Sequence, residues 1–321
     1  MKVVVTDYSF ASIDVEEEIL RPFGCEIVAW KERRPPSELA SLVADADCVI
    51  TQFATVNAEV IGAMQKARAI VRYGIGVDNV DLEAARVKGI PVCNVPDYCL
   101  DEVADQTLAF ILASTRNVVT NSSSVKAGEW RLAVPLDEMK SLCDLTLGIV
   151  GCGRIGRQVI ARLRPFKCKI VAFDPALSPQ EINSLGAIPV PLDELFATSD
   201  VVSLHCPSTD KTRRMINSES LSKMKKGVIL INVARGDLVH TNDLIEGLRS
   251  GHVGAAALDV FDPEPIPSTS PLLTMQNVIV AAHIASTSVR AVRRLRESVA
   301  NTAALAIQGK PVSNVVNGVG R

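Results

Sequence analysis

Short β-branched apolar runs alternate with helix-length segments almost from end to end of the chain, and few architectures accept that alternation. The runs are VVVTD, EIVAW, DCVIT, AIVRYG and PVCNV, then TLGIVG, KIVAFD, DVVSLH, GVILINVA, GAAALDVF and NVIVAAH. Runs of about four to seven apolar residues without polar alternation need cover on both faces, the situation of a parallel sheet flanked by helices. The chain therefore reads as α/β, with two doubly wound parallel sheets.

The runs form two sets. The first closes near Pro96, giving a domain over 1–97, and the second occupies 98–287. One more helix pattern, 288 to 308, ends at Gly309 and Pro311. No strand follows it, so it must pack on a layer already built. Its stretch SVRAVRRLRES carries Val289, Val292 and Leu295, with Val299 beyond, at spacings of three and four, which places the arginines on a solvated face. Between the two sets, DEVADQTLAFILASTRNVV (101–119) is too continuously apolar for a surface helix. Asp101 is its expected N-cap, and burial or a subunit contact its expected setting.

Composition excludes several functions. The 321 residues carry a net charge of −2, which offers no global attraction to nucleic acid. No apolar run approaches the ~20 residues that cross a bilayer. MKVVVTDYS is interrupted too early for a signal peptide and reads as a first strand. The eight cysteines form no CxxC pair, and Cys48 and Cys93 sit in strand-like runs as small packed groups, so a reduced, cytoplasmic compartment is expected. No metal is expected.

LTLGIVGCGRIGRQVIARL holds Gly151, Gly153 and Gly156 in G-x-G-x-x-G spacing between a strand and a helix, and a second strand ends on Asp174. Gly151 permits the tight turn, Gly153 lets backbone approach a pyrophosphate, and Gly156 lets helix and strand pack closely. The helix N-terminus supplies free N–H groups and its dipole to phosphate. Asp174 is expected to accept the adenosine ribose hydroxyls. A 2′-phosphate would meet that carboxylate, and Pro175 to Ser178 offer no cation, so NAD is favoured over NADP.

Of four histidines, His240 and His252 lie in polar, turn-like stretches and are expected at the surface. His205 and His283 end apolar strands, and in an open parallel sheet ligands bind beyond the carboxyl ends, so both point toward the cofactor. Arg235, Glu264 and His283 follow successive strands of that sheet. Each alone could be an ordinary strand-end group. Together they suggest an acid/base dyad beside a cationic anchor.

RYGIGVDNVD at 72 to 81, GCGRIG at 151 to 156, NVARGDLV at 232 to 239, ALDVFDPEP at 257 to 265 and AAHIAS at 281 to 286 occur in this order. With them the chain resembles the D-isomer-specific 2-hydroxyacid dehydrogenase family, with its phosphoglycerate, glyoxylate/hydroxypyruvate and D-lactate type members. The resemblance implies hydride transfer between NAD and C2 of a D-2-hydroxy acid or 2-oxo acid, with Arg235, Glu264 and His283 as the catalytic set. It implies a Rossmann domain inserted into a smaller, flavodoxin-like substrate domain of 1–97 plus 288–321, and a homodimer through the nucleotide domain, a role that suits helix 101–119. NAD contacts of similar enzymes fall on Ile75, Thr107, Arg154, Ile155, Asp174, Cys206, Pro207, Val233, Ala234, Asp259 and Ser286, beside the three glycines, His205, Arg235 and His283. The chain is also similar to the C-terminal-binding corepressors, which leaves an NAD(H)-sensing binding module as the alternative.

The expected chemistry follows from the residue types. Arg235 makes a bidentate bond to the substrate carboxylate and polarises the 2-oxo group. His283 exchanges a proton with the substrate oxygen, and Glu264 orients the imidazole and raises its pKa. The turn Tyr73-Gly74-Ile75-Gly76 offers backbone N–H groups to the same carboxylate. Phosphoglycerate-oxidising relatives tend to carry a basic residue in the turn after the third strand, where TQFAT (51–55) has Gln52 and Phe53 instead, although Arg72 and Arg131 remain for an anion. Arg290 is either a solvated charge or a group at the cleft mouth that favours a doubly charged substrate. Cys206 reads as a packed small residue rather than a redox switch.

Overall fold

The computed structural model describes residues 1–320 and divides into two compact units, Met1–Tyr98 with Ser288–Arg321, and Cys99–Thr287. The first unit contains strands β1 (Lys2–Val5), β2 (Glu26–Ala29), β3 (Cys48–Thr51), β4 (Ile70–Arg72) and β5 (Val92–Cys93). They pair in parallel in the order β2-β1-β3-β4-β5, the doubly wound order of flavodoxin-like sheets. In register, Val4 stands beside Val28 and Val49, and Ile70 beside Val92. One face of this sheet meets Leu39, Val43, Val60, Ile61 and Met64 in a continuous core.

The helix Val289–Ile307, capped by the Ser288 hydroxyl on the Ala291 N–H, packs against the helix Asp14–Leu20 and β3. The pattern reading of this helix needs correction. Val289 is 91% exposed, whereas Arg296 is buried with Ala291, Leu295, Val299 and Ala303. The apolar stripe holds at Leu295 and Val299, and Arg296 joins the buried face because Glu16, fully buried on the facing helix, supplies the counter-charge. Arg296 Nη2 donates to Glu16 Oε2 at 2.6 Å and to Asp14 Oδ1 at 2.8 Å, and its Nε reaches Glu16 Oε1 at 3.0 Å. Burial works against the Arg296 charge, but the two carboxylates outweigh it and hold its pKa above the usual arginine value.

The second unit contains β6 (Thr146–Val150), β7 (Lys169–Phe173), β8 (Ile188–Pro189), β9 (Val201–Leu204), β10 (Val228–Asn232), β11 (Val253–Leu258) and β12 (Val278–Val280). They run parallel in the order β12-β11-β10-β9-β6-β7-β8, the Rossmann arrangement extended by a seventh strand. β8 has no counterpart among the apolar runs, being a two-residue edge strand that ends in proline. The core between sheet and helices is built from Val150, Val202, Leu204, Leu230, Val253 and Leu258 with Leu195, Phe196, Leu221 and Leu244.

The apolar segment after residue 100 is two helices, Leu100–Thr115 and Val118–Lys126, separated where Asn117 takes a φ of 48°. Cys99, not Asp101, occupies the N-cap position; Asp101 lies within the first turn and pairs with Arg162 at 2.6 Å. The first helix buries Val103, Thr107, Phe110 and Ile111, packing on the helix Arg154–Leu163 and on β10 and β11. His240 and His252 are half-buried rather than surface groups. His240 Nδ1 lies 2.9 Å from Asp243 Oδ1, and His252 Nε2 is 2.7 Å from the Leu221 carbonyl.

Candidate active site

The sheet order of the second unit reverses between β6 and β9, which opens a crevice beyond their carboxyl ends. β6 runs into Gly151, whose φ of +96° excludes other residues without strain. A Cβ there would also lie 2.8 Å from the backbone of His205 and Cys206, so the loops after β6 and β9 touch through the missing side chain. A Cβ on Gly156 would overlap the Gly151 carbonyl oxygen, which is the close helix-to-turn packing this glycine serves. Gly153 differs: a Cβ would meet no atom within 4 Å, and Gly153 and Arg154 are exposed at the mouth of the crevice.

The helix Arg154–Leu163 starts at Gly153 without a side-chain cap, so its first N–H groups stay available to an anion. Asp174, just past β7, accepts the Cys152 N–H at 2.7 Å and the Ala176 N–H at 2.9 Å. That carboxylate ties the glycine turn to β7, and each oxygen keeps a second lone pair for a hydroxyl. After β9, the His205 ring lies 2.9 Å from the Ser203 hydroxyl, and desolvation lowers its pKa to about 4, leaving it neutral near pH 7. Cys206 Sγ lies 3.7 Å from Met215 Sδ, and burial pushes its thiol up to about 11, the behaviour of an inert packed group. Thr107 is fully buried, its hydroxyl donating to the Val103 carbonyl of its own helix at 2.7 Å, and Asp259 is 1% exposed.

On the other side of the sheet, the ends of β10, β11 and β12 bring Arg235, Glu264 and His283 together. β10 ends on buried Asn232, whose side chain accepts the Ala234 N–H at 3.1 Å and donates to the Arg235 carbonyl at 2.8 Å. Asn232 thus closes the turn that presents Arg235. Gly236 then passes so close to the next loop that a Cβ would overlap the Phe261 carbonyl. In that loop the Phe261 N–H donates to Glu264 Oε1 at 2.9 Å, while His283 Nδ1 lies 2.9 Å from Glu264 Oε2. Burial pushes the Glu264 carboxyl up, but the His283 hydrogen bond and charge, the Phe261 N–H and the Arg235 charge together hold it below the usual value.

His283 adopts a φ of 54°, uncommon for a residue with a side chain. Asp259 holds it there. Its carbonyl accepts the His283 N–H at 2.8 Å, and its carboxylate accepts the Ile284 N–H at 2.9 Å and the Ala285 N–H at 2.8 Å. Burial raises the Asp259 pKa, only partly opposed by those two N–H groups. Asn232 and Asp259 escape sequence reading as positioning groups. The signal that could have found this role is a polar side chain at the end of an apolar strand.

The expected substrate residues Tyr73, Gly74, Ile75 and Gly76, and Arg290, belong to the first unit. Tyr73 is 1% exposed and its hydroxyl donates to Glu16 Oε1 at 2.9 Å, so the turn that follows is tied to the Glu16–Arg296 pair. Burial, then the Glu16 charge, raises the Tyr73 pKa well above its ordinary value. Arg290 is exposed in the first turn of the helix Val289–Ile307. Among the described residues there is no cluster of side chains suited to a metal ion, and no helix is long and apolar enough to cross a membrane.

Residues 108–285 match the family model described as "D-isomer specific 2-hydroxyacid dehydrogenase, NAD binding domain". The chain is 37% identical over 291 residues to a D-3-phosphoglycerate dehydrogenase of Mycobacterium leprae, covering 90% of this chain and 54% of that one. It is 37% identical over 297 residues to a glyoxylate reductase of Korarchaeum cryptofilum, covering 91% and 90%. Among solved structures, the TT0316 protein of Thermus thermophilus superposes with a TM-score of 0.88 at 37% identity, covering 98% of this chain and all of that one. The chain spans about half the length of the phosphoglycerate dehydrogenases it matches.

Proposed function

Because this chain belongs to the D-isomer-specific 2-hydroxyacid dehydrogenase family, we propose that it is an NAD-dependent oxidoreductase that interconverts a D-2-hydroxy acid and its 2-oxo acid. The observation that carries the reading is the convergence of Arg235, Glu264 and His283 at the carboxyl ends of three neighbouring strands, with the His283 and Glu264 side chains in contact at 2.9 Å. The crevice chemistry fits the cofactor: exposed Gly153 beside an uncapped helix start suits a pyrophosphate, and Asp174 suits a ribose diol. Bound there, the cofactor would supply the hydride as NADH or accept it as NAD+.

The side chains do the rest. Arg235 takes the substrate carboxylate with its planar guanidinium and draws charge from the adjacent carbonyl. Glu264, bonded to Nδ1, directs the opposite ring nitrogen of His283 toward the substrate oxygen. In the reductive direction His283 Nε2 donates a proton to that oxygen, and in the oxidative direction it removes one. Glu264 stays ionised because its pKa is low, so its charge steadies the imidazolium before transfer.

The dimer is part of the same proposal. Past Thr115 the second unit presents Val118, Val119, Val125, Leu132, Trp130 at 92% exposure and Leu136 at 79% exposure, an apolar stretch that a second copy would cover. The partner surface is then this stretch, not the buried helix Leu100–Thr115. Eight free cysteines fit a reducing compartment, and we place the enzyme in the cytoplasm.

The test is NADH oxidation with a panel of 2-oxo acids. Wild-type protein is expected to turn over at least one of them, while Arg235→Ala and His283→Ala lose turnover and still bind NADH. Full activity in either variant, or NADH-dependent association without oxidation of any acid, would overturn the proposal.

A further inference from the structure

Within the second unit, the segments that follow β9, β10 and β11 enclose a cavity that none of Arg235, Glu264 and His283 lines. Its volume is about 380 Å³, at the small end of the range for sites that hold small molecules. Val239, Ile245, Phe261, Ile266 and Pro267 give it an apolar wall.

Two opposite charges stand at its mouth. Arg214 and Asp262 both line the cavity and are exposed, and among the described residues neither side chain has an ion pair or a hydrogen bond, with each other or with any other group. The remaining charges nearby are engaged. Arg213 lies 3.6 Å from Asp237 Oδ2, and the Asp243 carboxylate accepts the Ser218 N–H at 2.7 Å and lies 2.9 Å from His240 Nδ1.

The backbones that carry the two free charges are fixed. The Arg214 N–H donates to the Asp237 carbonyl at 2.7 Å, its carbonyl accepts Asn217 Nδ2 at 2.9 Å, and its φ of 52° is uncommon for a residue with a side chain. Ile216 then pairs with Val239 in a parallel bridge, and its carbonyl accepts the His240 N–H at 2.7 Å. The Asp262 carbonyl accepts the Thr241 hydroxyl at 3.3 Å, which ties it to the start of the helix Thr241–Arg249. A simple anion in this cavity would satisfy Arg214 and be repelled by Asp262, and a simple cation the reverse. A molecule that carries both charges satisfies both, and the apolar wall requires it to carry a hydrocarbon part as well.

We propose that this cavity binds a free α-amino acid with an apolar side chain. Its carboxylate meets Arg214 and the first turn of the helix Thr241–Arg249, which has no side-chain cap, its ammonium meets Asp262, and its side chain lies against the wall of Ile245, Phe261 and Ile266. Phe261, Asp262 and Pro263 directly precede Glu264, and the Phe261 N–H donates to Glu264 Oε1 at 2.9 Å. An amino acid seated here favours the loop conformation to which it binds, the one in which Glu264 lies 2.9 Å from His283 Nδ1, and so raises kcat. That consequence rests on the reading of the protein as an oxidoreductase; the binding does not.

Calorimetry and thermal melting are carried out with L-leucine, L-phenylalanine and two leucine analogues that each lack one charge, 4-methylpentanoate and 3-methylbutylamine, on wild type, Arg214→Gln, Arg214→Lys and Asp262→Asn. Both positions are exposed, so the variants are expected to fold, which melting without ligand checks. Leucine or phenylalanine should bind wild type and raise its Tm. Each analogue should bind about tenfold or more weakly than leucine, and Arg214→Gln and Asp262→Asn should each weaken the amino acid by a similar factor, the scale of one charge-assisted hydrogen bond. Arg214→Lys should recover part of that loss. No binding of either amino acid, equal affinity for leucine and its analogues, or equal affinity in wild type and both charge-removing variants overturns the inference. With NADH and a 2-oxo acid that is reduced, the saturating amino acid should raise kcat in wild type and leave Arg214→Gln unchanged; bound amino acid with no effect on kcat overturns the coupling to Glu264. Amino-acid binding without turnover of any 2-oxo acid upholds the site and refutes the oxidoreductase reading alone.

Discussion

Asp259 offers the sharpest separation between holding the fold and holding the chemistry. Its carboxylate receives the Ile284 and Ala285 N–H groups, and its carbonyl the His283 N–H, while His283 sits at a φ of 54°. In Asp259→Asn one carboxylate oxygen becomes an amide donor facing a backbone donor, so one of the two N–H groups is stranded. A buried, unsatisfied N–H costs about 1–3 kcal/mol. Part of that is offset, because the raised pKa of Asp259 shows that burying its charge is itself unfavourable. The net loss is about 2 kcal/mol, which for a unit of this size lowers Tm by about 4–8 °C. The turn released from Asp259 lets His283 move, and a displacement of ~1 Å at a reacting group costs about 100-fold in rate. Thermal melting, NADH titration and steady-state kcat are measured together. A reduced Tm with intact NADH binding and a kcat lower by about two orders of magnitude is expected. A reduced Tm with wild-type kcat would show that Asp259 supports the sheet edge but does not hold His283, and the positioning argument would fail.

Other substitutions probe separate steps of the reasoning. Gly153→Ala introduces a methyl into open space and should leave Tm unchanged while weakening NADH binding about tenfold or more, the cost of one disturbed phosphate contact; Gly156→Ala, with its Cβ driven into the Gly151 carbonyl oxygen, should lower Tm by itself. His205 has a folded-state pKa of about 4 against an unfolded value of 6.5, so the unfolded chain takes up the proton first. Stability is complete above that upper value and declines as pH falls toward the lower one, by at most about 3 kcal/mol. The Tm advantage of wild type over His205→Gln should therefore shrink across that window, and a constant difference would refute the assignment. Arg296→Met leaves Glu16 charged and buried, a loss of about 3–5 kcal/mol; the double variant Glu16→Leu with Arg296→Met should regain most of it in chemical denaturation, and no recovery would mean that packing rather than charge carries the pair.

Local pattern sufficed for much of the molecule because its information is local. Unbroken apolar runs announce strands covered on both faces, and glycines at fixed spacing after a strand announce a turn that only glycine can make. Eleven of the twelve strands, the glycine turn at 151 to 156, and Arg235, Glu264 and His283 at their strand ends were readable in this way. β8 was not, since two residues ending in proline carry no periodicity. The second helix after Asn117 was hidden in an apolar stretch that continues across the break.

Tertiary structure alone decided which polar groups meet. Arg296 looked like one of a solvated row of arginines until Glu16, remote in sequence, gave it a buried partner. Asn232 is inconspicuous in sequence and Asp259 is expected there only as a cofactor contact, yet they fix the backbone that presents Arg235 and His283. Arg33 and Arg72 share the Phe53 ring only because β2, β3 and β4 deliver their following loops to the same edge. Periodicity reports which face of an element is apolar, because each residue carries that property itself. Which charge finds which partner depends on distances closed by the fold, and those the linear order does not contain.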